Sequence, residues 1–528
     1  MIWSLSRPKP ALPNSYFWTW DHSANWVLDD PGTVNYGCCN SYLKRPETYV
    51  EDYRRLTDFA AGLGVKGIVI WGFLRDSHSG ADAAREVARH ASSKGVAIMP
   101  GVGTTWYGGI YYEGDHPYNI ETFVRENPDC LMRDEQGRPL DEGACPSNPK
   151  YLEWLSEAIG WLFREFEIGG ANLENGDFVV CHDERCNRHK QNWPADDPEF
   201  FRFQAMSYVP ALEAIRGHLA DKLVSAATYT GFLPGVGPQD NMMPHMQCRR
   251  PVVIDRIAPE ALVQWTLTGM VRRESLPLTD YLDDGAPAGA FDNPNWPADL
   301  RAPAARNCGF LHQPSQWACP GRYDLGLSVI KEACLRAYRS GLEGVSIHGE
   351  VTSRCIPWVL NYLAFSHFIH WPEDTLRDFG RKTLGQVFED EDEGEEFVEL
   401  TARWDARTLT QAQTEDIRSR AYEYFRLMSR GTHLEKWRFW NWLQAMAEGR
   451  VLDALEPRVH TPTLRTKLLC PAMRRRSLNC FTSALWSDRY PAVSGFAFFT
   501  MIDRPFLPIF WVTPSTMSAW LLKMTSPY

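Results

Sequence analysis

Residues 46–71 read PETYVEDYRRLTDFAAGLGVKGIVIW. Pro46 is a favoured first helical residue. Val50, Tyr53, Leu56, Ala60 and Leu63 recur on one helical face. Gly62 and Gly64 end the helix, and Gly67-Ile68-Val69-Ile70-Trp71 follows as a buried strand. The same unit returns as a helix around Asp82–Ser93, then Gly95 and Val96-Ala97-Ile98-Met99-Pro100. It returns again as Lys150–Phe166, Gly169-Gly170 and a strand closing at Glu174. A fourth copy is Leu325–Arg339, Gly341 and a strand closing at Glu350. Less regular candidates are Tyr16–Trp20, Leu223–Ala227 after a helix around Phe200–Ala220, Leu262–Leu267 and Cys308–His312. Eight short apolar strands separated mostly by helices predict a parallel sheet. Spread over roughly 340 residues, they predict a (β/α)8 TIM barrel with enlarged loops. A doubly wound open sheet is the alternative, but the first strand lacks a dinucleotide-type glycine loop.

After Glu350 the strand pattern stops. Pro357–Trp371, Glu373–Phe388, Phe397–Leu409 and Thr414–Met428 read as helices, and helical pattern runs to about Leu455. The expected division is a barrel over residues 1–355, a helical extension over 356–456 and a segment of unassigned fold over 457–528. Glu389–Glu396 reads as an acidic solvated loop between helices.

The chain has 528 residues, 44% hydrophobic and 23% charged, which suits a globular protein with a sizeable core. A net charge of −11 argues against nucleic acid or an anionic membrane as the main partner. The residues Met1–Pro8 show no charged-then-apolar leader pattern. The apolar runs Gly495–Ile502 and Pro505–Val512 are each too short to cross a bilayer. Thirteen cysteines without regular spacing fit reduced thiols better than a disulfide framework. A soluble protein of the cytoplasm is expected. The 21 tryptophans serve mainly as core filling, except at strand ends, where they offer flat faces to sugar rings.

In such a barrel the site lies at the C-terminal rim of the strands. Alternate strand residues share a face, so Asn172 and Glu174 point one way, and Ser346, His348 and Glu350 point one way. Two distant strand-end glutamates suggest two carboxyl groups meeting at one site, the requirement of glycoside hydrolysis. Glu174 and Glu350 are the expected pair, from strands on opposite sides of the barrel, with Asp177 and His348 tuning their protonation. Asp21, His22, Trp71, Trp106, Tyr107, Gln264 and His312 are the expected substrate contacts around the rim. For Asp21 the alternative is a cap on a local turn. Cys181-His182-Asp183-Glu184-Arg185-Cys186 holds potential metal ligands. Four residues separate its cysteines and no second pair follows, so it amounts to half a zinc site, and neither metal nor cofactor is expected.

The segments Trp18–His22, Trp106–Gly109, Asn172–Asp177 with Cys181 and Cys186, and His348–Glu350 resemble those of barrel proteins near two glycoside hydrolase families. These are the β-N-acetylhexosaminidases and the α-glucuronidases. Trp358–Phe365 is similar to the start of the helical extension that follows such barrels. The resemblance is diffuse, covers about residues 15–430 and implies a Glu acid after the fourth strand, which Glu174 matches. Hexosaminidases place an Asp directly before that Glu. Leu173 stands there in this chain, so substrate-assisted catalysis does not carry over and the sugar stays open. The expected function is metal-independent hydrolysis of an oligosaccharide or glycoside. A metal-dependent barrel hydrolase, which usually wants His-x-His where this chain has Asp21-His22-Ser23, and a non-catalytic carbohydrate-binding barrel are the alternatives.

Overall fold

The computed structural model describes residues 5–22, 24, 46–175, 180–192, 199–218, 222–227, 261–266, 278–283, 307–311, 325–348, 356–405, 409–428 and 434–455. Eight parallel strands close into a barrel. They are β1 (Tyr16–Trp20), β2 (Gly67–Trp71), β3 (Ala97–Gly103), β6 (Gly170–Glu174), β7 (Leu223–Ala227), β8 (Leu262–Thr266), β9 (Asn307–Leu311) and β10 (Val345–His348). Going round, the order is β1-β10-β9-β8-β7-β6-β3-β2. Closure excludes the open doubly wound sheet. Two further strands, β4 (Leu131–Arg133) and β5 (Pro139–Ala144), pair antiparallel in the excursion between β3 and the helix Pro149–Glu165.

Strand alternation sorts the side chains into two cores. Phe17, Ile68, Ile70, Ile98, Val102, Ala171, Leu173, Val263, Val345 and Ile347 belong to the apolar layer shared with the helices. Tyr16, Trp18, Trp20, Val69, Trp71, Met99, Leu262 and Cys308 form a second cluster, which fills the lumen. Gly101 gives the lumen its room. It lies opposite Asn172 in the sheet, and a Cβ there would strike the Trp71 indole.

The helix Ile356–His370 is buried at every position, which accounts for its lack of an amphipathic pattern. Its Tyr362 meets Phe17 of β1 edge-on at 5.0 Å, and Phe365 packs there too. The cover of the barrel therefore reaches past residue 355. The acidic run is a correction to the sequence reading. The helix Glu391–Asp405 begins within it, with Glu391, Asp392 and Glu393 in its first turn. Acids at a helix start face the positive end of its dipole. Neighbouring cations complete the neutralisation, with Arg381 on Glu395, Arg420 on Glu396, and Lys436 on Glu393. Among the described residues no helix is long and apolar enough to cross a membrane.

Candidate active site

Glu174 is the last residue of β6, two places beyond Asn172 on the same face, and is 5% exposed. Beneath it, Asn172 binds the lumen together. Its Oδ1 accepts from Trp71 Nε1 at 3.1 Å, and its Nδ2 donates to Ser225 Oγ at 2.7 Å and Gln264 Oε1 at 2.9 Å. The backbone at Glu174 is pinned from the β3 side. Its carbonyl accepts from Thr104 N at 2.8 Å, and that of Asn175 accepts from Thr105 Oγ1 at 2.6 Å. Burial pushes the Tyr208 hydroxyl well above the usual phenol range, and the charge of Glu174 adds to this. The Asn175 side-chain amide is buried and has no hydrogen-bond partner among the described residues.

Aromatic rings wall the mouth beside this carboxyl. Trp71 and Tyr107 lie 5.7 Å apart, Trp20 and Trp71 5.9 Å, and Trp20 and Tyr112 5.9 Å. Tyr107 holds its ring there from a left-handed backbone (φ 52°), an uncommon conformation for a non-glycine residue. Trp18, deeper on β1, meets His348 edge-on at 5.1 Å.

At the end of β1, Asp21 is 1% exposed and fully engaged. Its oxygens take Arg75 Nε at 2.8 Å and His22 Nδ1 at 3.0 Å; His78 Nε2, bonded to the Gly72 carbonyl at 2.9 Å, also approaches it at 3.5 Å. Burial pushes this carboxyl up, but the hydrogen bonds from His22 and His78 and the charge of Arg75 outweigh it. The carboxyl is held well below the usual carboxylate range. Asp21 thus anchors its neighbours: Arg75 lies 4.7 Å over the Tyr112 ring and reaches on to Glu113, and His22 stacks near Trp20.

The structure therefore brings Glu174, Gln264, Trp71, Tyr107, His348, Asp21 and His22 to the lumen and its C-terminal mouth. Trp106 is half-buried, and its carbonyl closes the β3 turn onto Gly109 N at 3.2 Å. Glu350, Asp177 and His312 lie outside the described residues. Sequence reading missed the roles of Arg75 and His78 as partners of Asp21, and of Asn172 as the hub. The available signal for Asn172 was its shared face with Glu174. Arg75 and His78 carried none, because their contacts depend on the tertiary turn after β2.

Sequence reading also missed a thiol cluster behind the site. Cys145, Cys181 and Cys186 are all buried, with sulfur atoms within 4.8 Å of one another. The search for a second closely spaced pair overlooked Cys145, which lies 41 residues from Cys186.

No family model matches the sequence, and no curated protein matches it. Among solved structures the chain is similar to α-L-fucosidase isoenzyme 2 from Paenibacillus thiaminolyticus, at 14% identity and a TM-score of 0.37. That match covers 67% of this chain and 49% of the fucosidase, about half of its length. A second is an O-GlcNAc hydrolase from Thermobaculum terrenum, at 9% identity, a TM-score of 0.40, and coverage of 82% and 89%. A third is the β-N-acetylhexosaminidase of Bacteroides fragilis, at 10% identity, a TM-score of 0.36, and coverage of 68% and 66%. Function is therefore read from the chemistry of the site itself.

Proposed function

We propose that this protein is a glycoside hydrolase that cleaves an oligosaccharide or glycoside at the C-terminal mouth of its barrel. The observation that carries this reading is Glu174. It is a carboxyl group at the lumen end of β6, above a closed polar network and beside the Trp20, Trp71 and Tyr107 rings. Rings of this kind stack on the apolar faces of sugars, while Gln264, His22 and Arg75 offer polar groups to the hydroxyls. Departure of a glycosidic oxygen requires an acid that delivers a proton to it, and a carboxyl at the mouth is placed for that role.

Glu174 is the proposed acid and Glu350 its partner. β6 and β10, the strands leading to them, stand opposite each other in the ring. His348 and Asp177 adjust the pair. A carboxyl separation of about 5–5.5 Å gives retention of configuration through a covalent intermediate, and about 6.5–9.5 Å gives inversion through a water.

The test is hydrolysis of a panel of aryl glycosides by wild type, Glu174→Gln and Glu350→Gln. Loss of a general acid lowers turnover by about 10²–10⁴-fold. Wild-type turnover in both variants contradicts the assignment. Sugar binding by the wild type without turnover of any glycoside identifies a carbohydrate-binding barrel instead.

A further inference from the structure

Two segments remote in sequence deliver the thiol cluster. Cys145 directly follows β5, Cys181 lies on the loop leaving β6, and Cys186 lies on the helix Glu184–Lys190. Backbone bonds already fix the geometry. Cys145 N donates to Cys130 O at 2.8 Å, Ala144 N to Thr105 O at 2.8 Å, and His182 N to Arg133 O at 2.8 Å. Cys145 Sγ and Cys186 Sγ are 3.4 Å apart, well beyond a disulfide bond of about 2.05 Å. Metal–sulfur bonds of about 2.3 Å in a tetrahedron set neighbouring sulfurs about 3.8 Å apart. The cluster is therefore close to the size that one ion demands.

Its surroundings are those of a ligand set. The Asp183 amide donates to Cys181 Sγ at 3.4 Å, and Ser147 Oγ lies 3.3 Å from Cys186 Sγ. Such outer hydrogen bonds orient coordinating sulfurs. Met132, Phe203 and Met206 close an apolar wall around them. Three cysteines gathered without this purpose would more simply be packed apart, as Cys334 is on the helix Leu327–Ser340.

We propose that Cys145, Cys181 and Cys186 form a three-thiolate site for a soft divalent cation, with zinc the best match to the ligands. On binding, the thiol protons leave to solvent and three sulfur–metal bonds form, without change of oxidation state. The described residues supply three of the four ligands of a tetrahedral ion. The ion would fasten the end of the β4–β5 hairpin to residues 181–186, a few places beyond Glu174 in the chain, so it would serve the site by position rather than by contact. This inference is independent of the glycosidase reading.

The experiment is metal analysis of protein purified without chelator, followed by zinc removal and cobalt replacement. About one zinc per chain is expected, with thiolate-to-cobalt charge-transfer absorption in the cobalt form. Cys145→Ser, Cys181→Ser and Cys186→Ser should each lose the ion, while Cys334→Ser keeps it. If the serine variants fail to fold, alkylation of the wild type decides. Chelation should expose Cys145, Cys181 and Cys186 to the reagent and leave Cys334 unlabelled. No bound metal after zinc supplementation, a cobalt form without charge-transfer absorption, full metal in Cys145→Ser, or labelling unchanged by chelation would overturn the proposal. So would a disulfide among the three in freshly isolated protein.

Discussion

The two walls of the barrel lumen are built from different materials. On the β1–β2 side stand Tyr16, Trp18, Trp20, Val69 and Trp71. On the β7–β10 side stand Ser225, Gln264, Cys308, Ser346 and His348, small or polar, with Leu262 the large apolar exception. Large against small fills a cylinder of fixed width at interior density. The division also has a chemical consequence. One wall offers flat faces and the other hydrogen-bonding groups, with Glu174 on β6 between them. A sugar ring needs both, since its faces are apolar and its edge carries hydroxyls.

The hydrogen bond from Trp71 to Asn172 joins the two walls, so cutting it breaks the comparison most severely. Trp71→Ala should cost about 3–5 kcal/mol of stability in denaturant unfolding, because a large fully buried side chain is lost. Trp71→Phe keeps most of the ring and loses the donor, so it should fall well short of that cost. Equal losses in the two variants would mean that the hydrogen bond, and not the bulk, dominates. Approached from the other wall, Asn172→Leu should cost about 1–3 kcal/mol, since Trp71 Nε1 is left buried without its acceptor. Ser225→Ala removes one partner of Asn172 and should cost about 0.5–1.5 kcal/mol. A cost above that of Asn172→Leu would displace Asn172 as the hub.

Mild acid should act on the helical cover and spare the barrel. Burial pushes both His367 and His370 down to about 4, from an ordinary value near 6.5. Between those values the unfolded chain binds more protons, so stability falls as pH falls from about 6.5 toward 4. Asp21 is shifted down from the carboxylate range, so its contribution holds above about pH 3.9 and is lost only below it. His370→Gln should flatten the slope of stability between pH 6.5 and 4. An unaltered slope would remove His370 from this account.

The fold was largely legible because its strands are short, apolar and bounded by glycine. Tyr16–Trp20, Gly67–Trp71 and Leu223–Ala227 were expected with the boundaries the structure has. The β4–β5 hairpin was not seen. Its residues Pro139–Ala144 include Asp141, Glu142 and Gly143 and have no apolar run, and the pairing depends on Leu131–Arg133. At the site, strand alternation made Glu174 legible, and with it the lumen face of Asn172. The partners of Asp21 and the third cysteine were not legible, because each is brought in by a loop whose path is set by packing. Periodicity does not reach such contacts. The acidic run misled for a related reason, since its compensating arginines lie on other helices.

The most direct test of Glu174 as the acid is the pH dependence of kcat/KM, measured with aryl glycosides of good and poor leaving groups. The wild type should give a bell-shaped profile. Glu174→Gln should lose the limb that falls at high pH and should be slowed far more on poor leaving groups than on good ones. Superimposable profiles with the same leaving-group sensitivity in both proteins would contradict it.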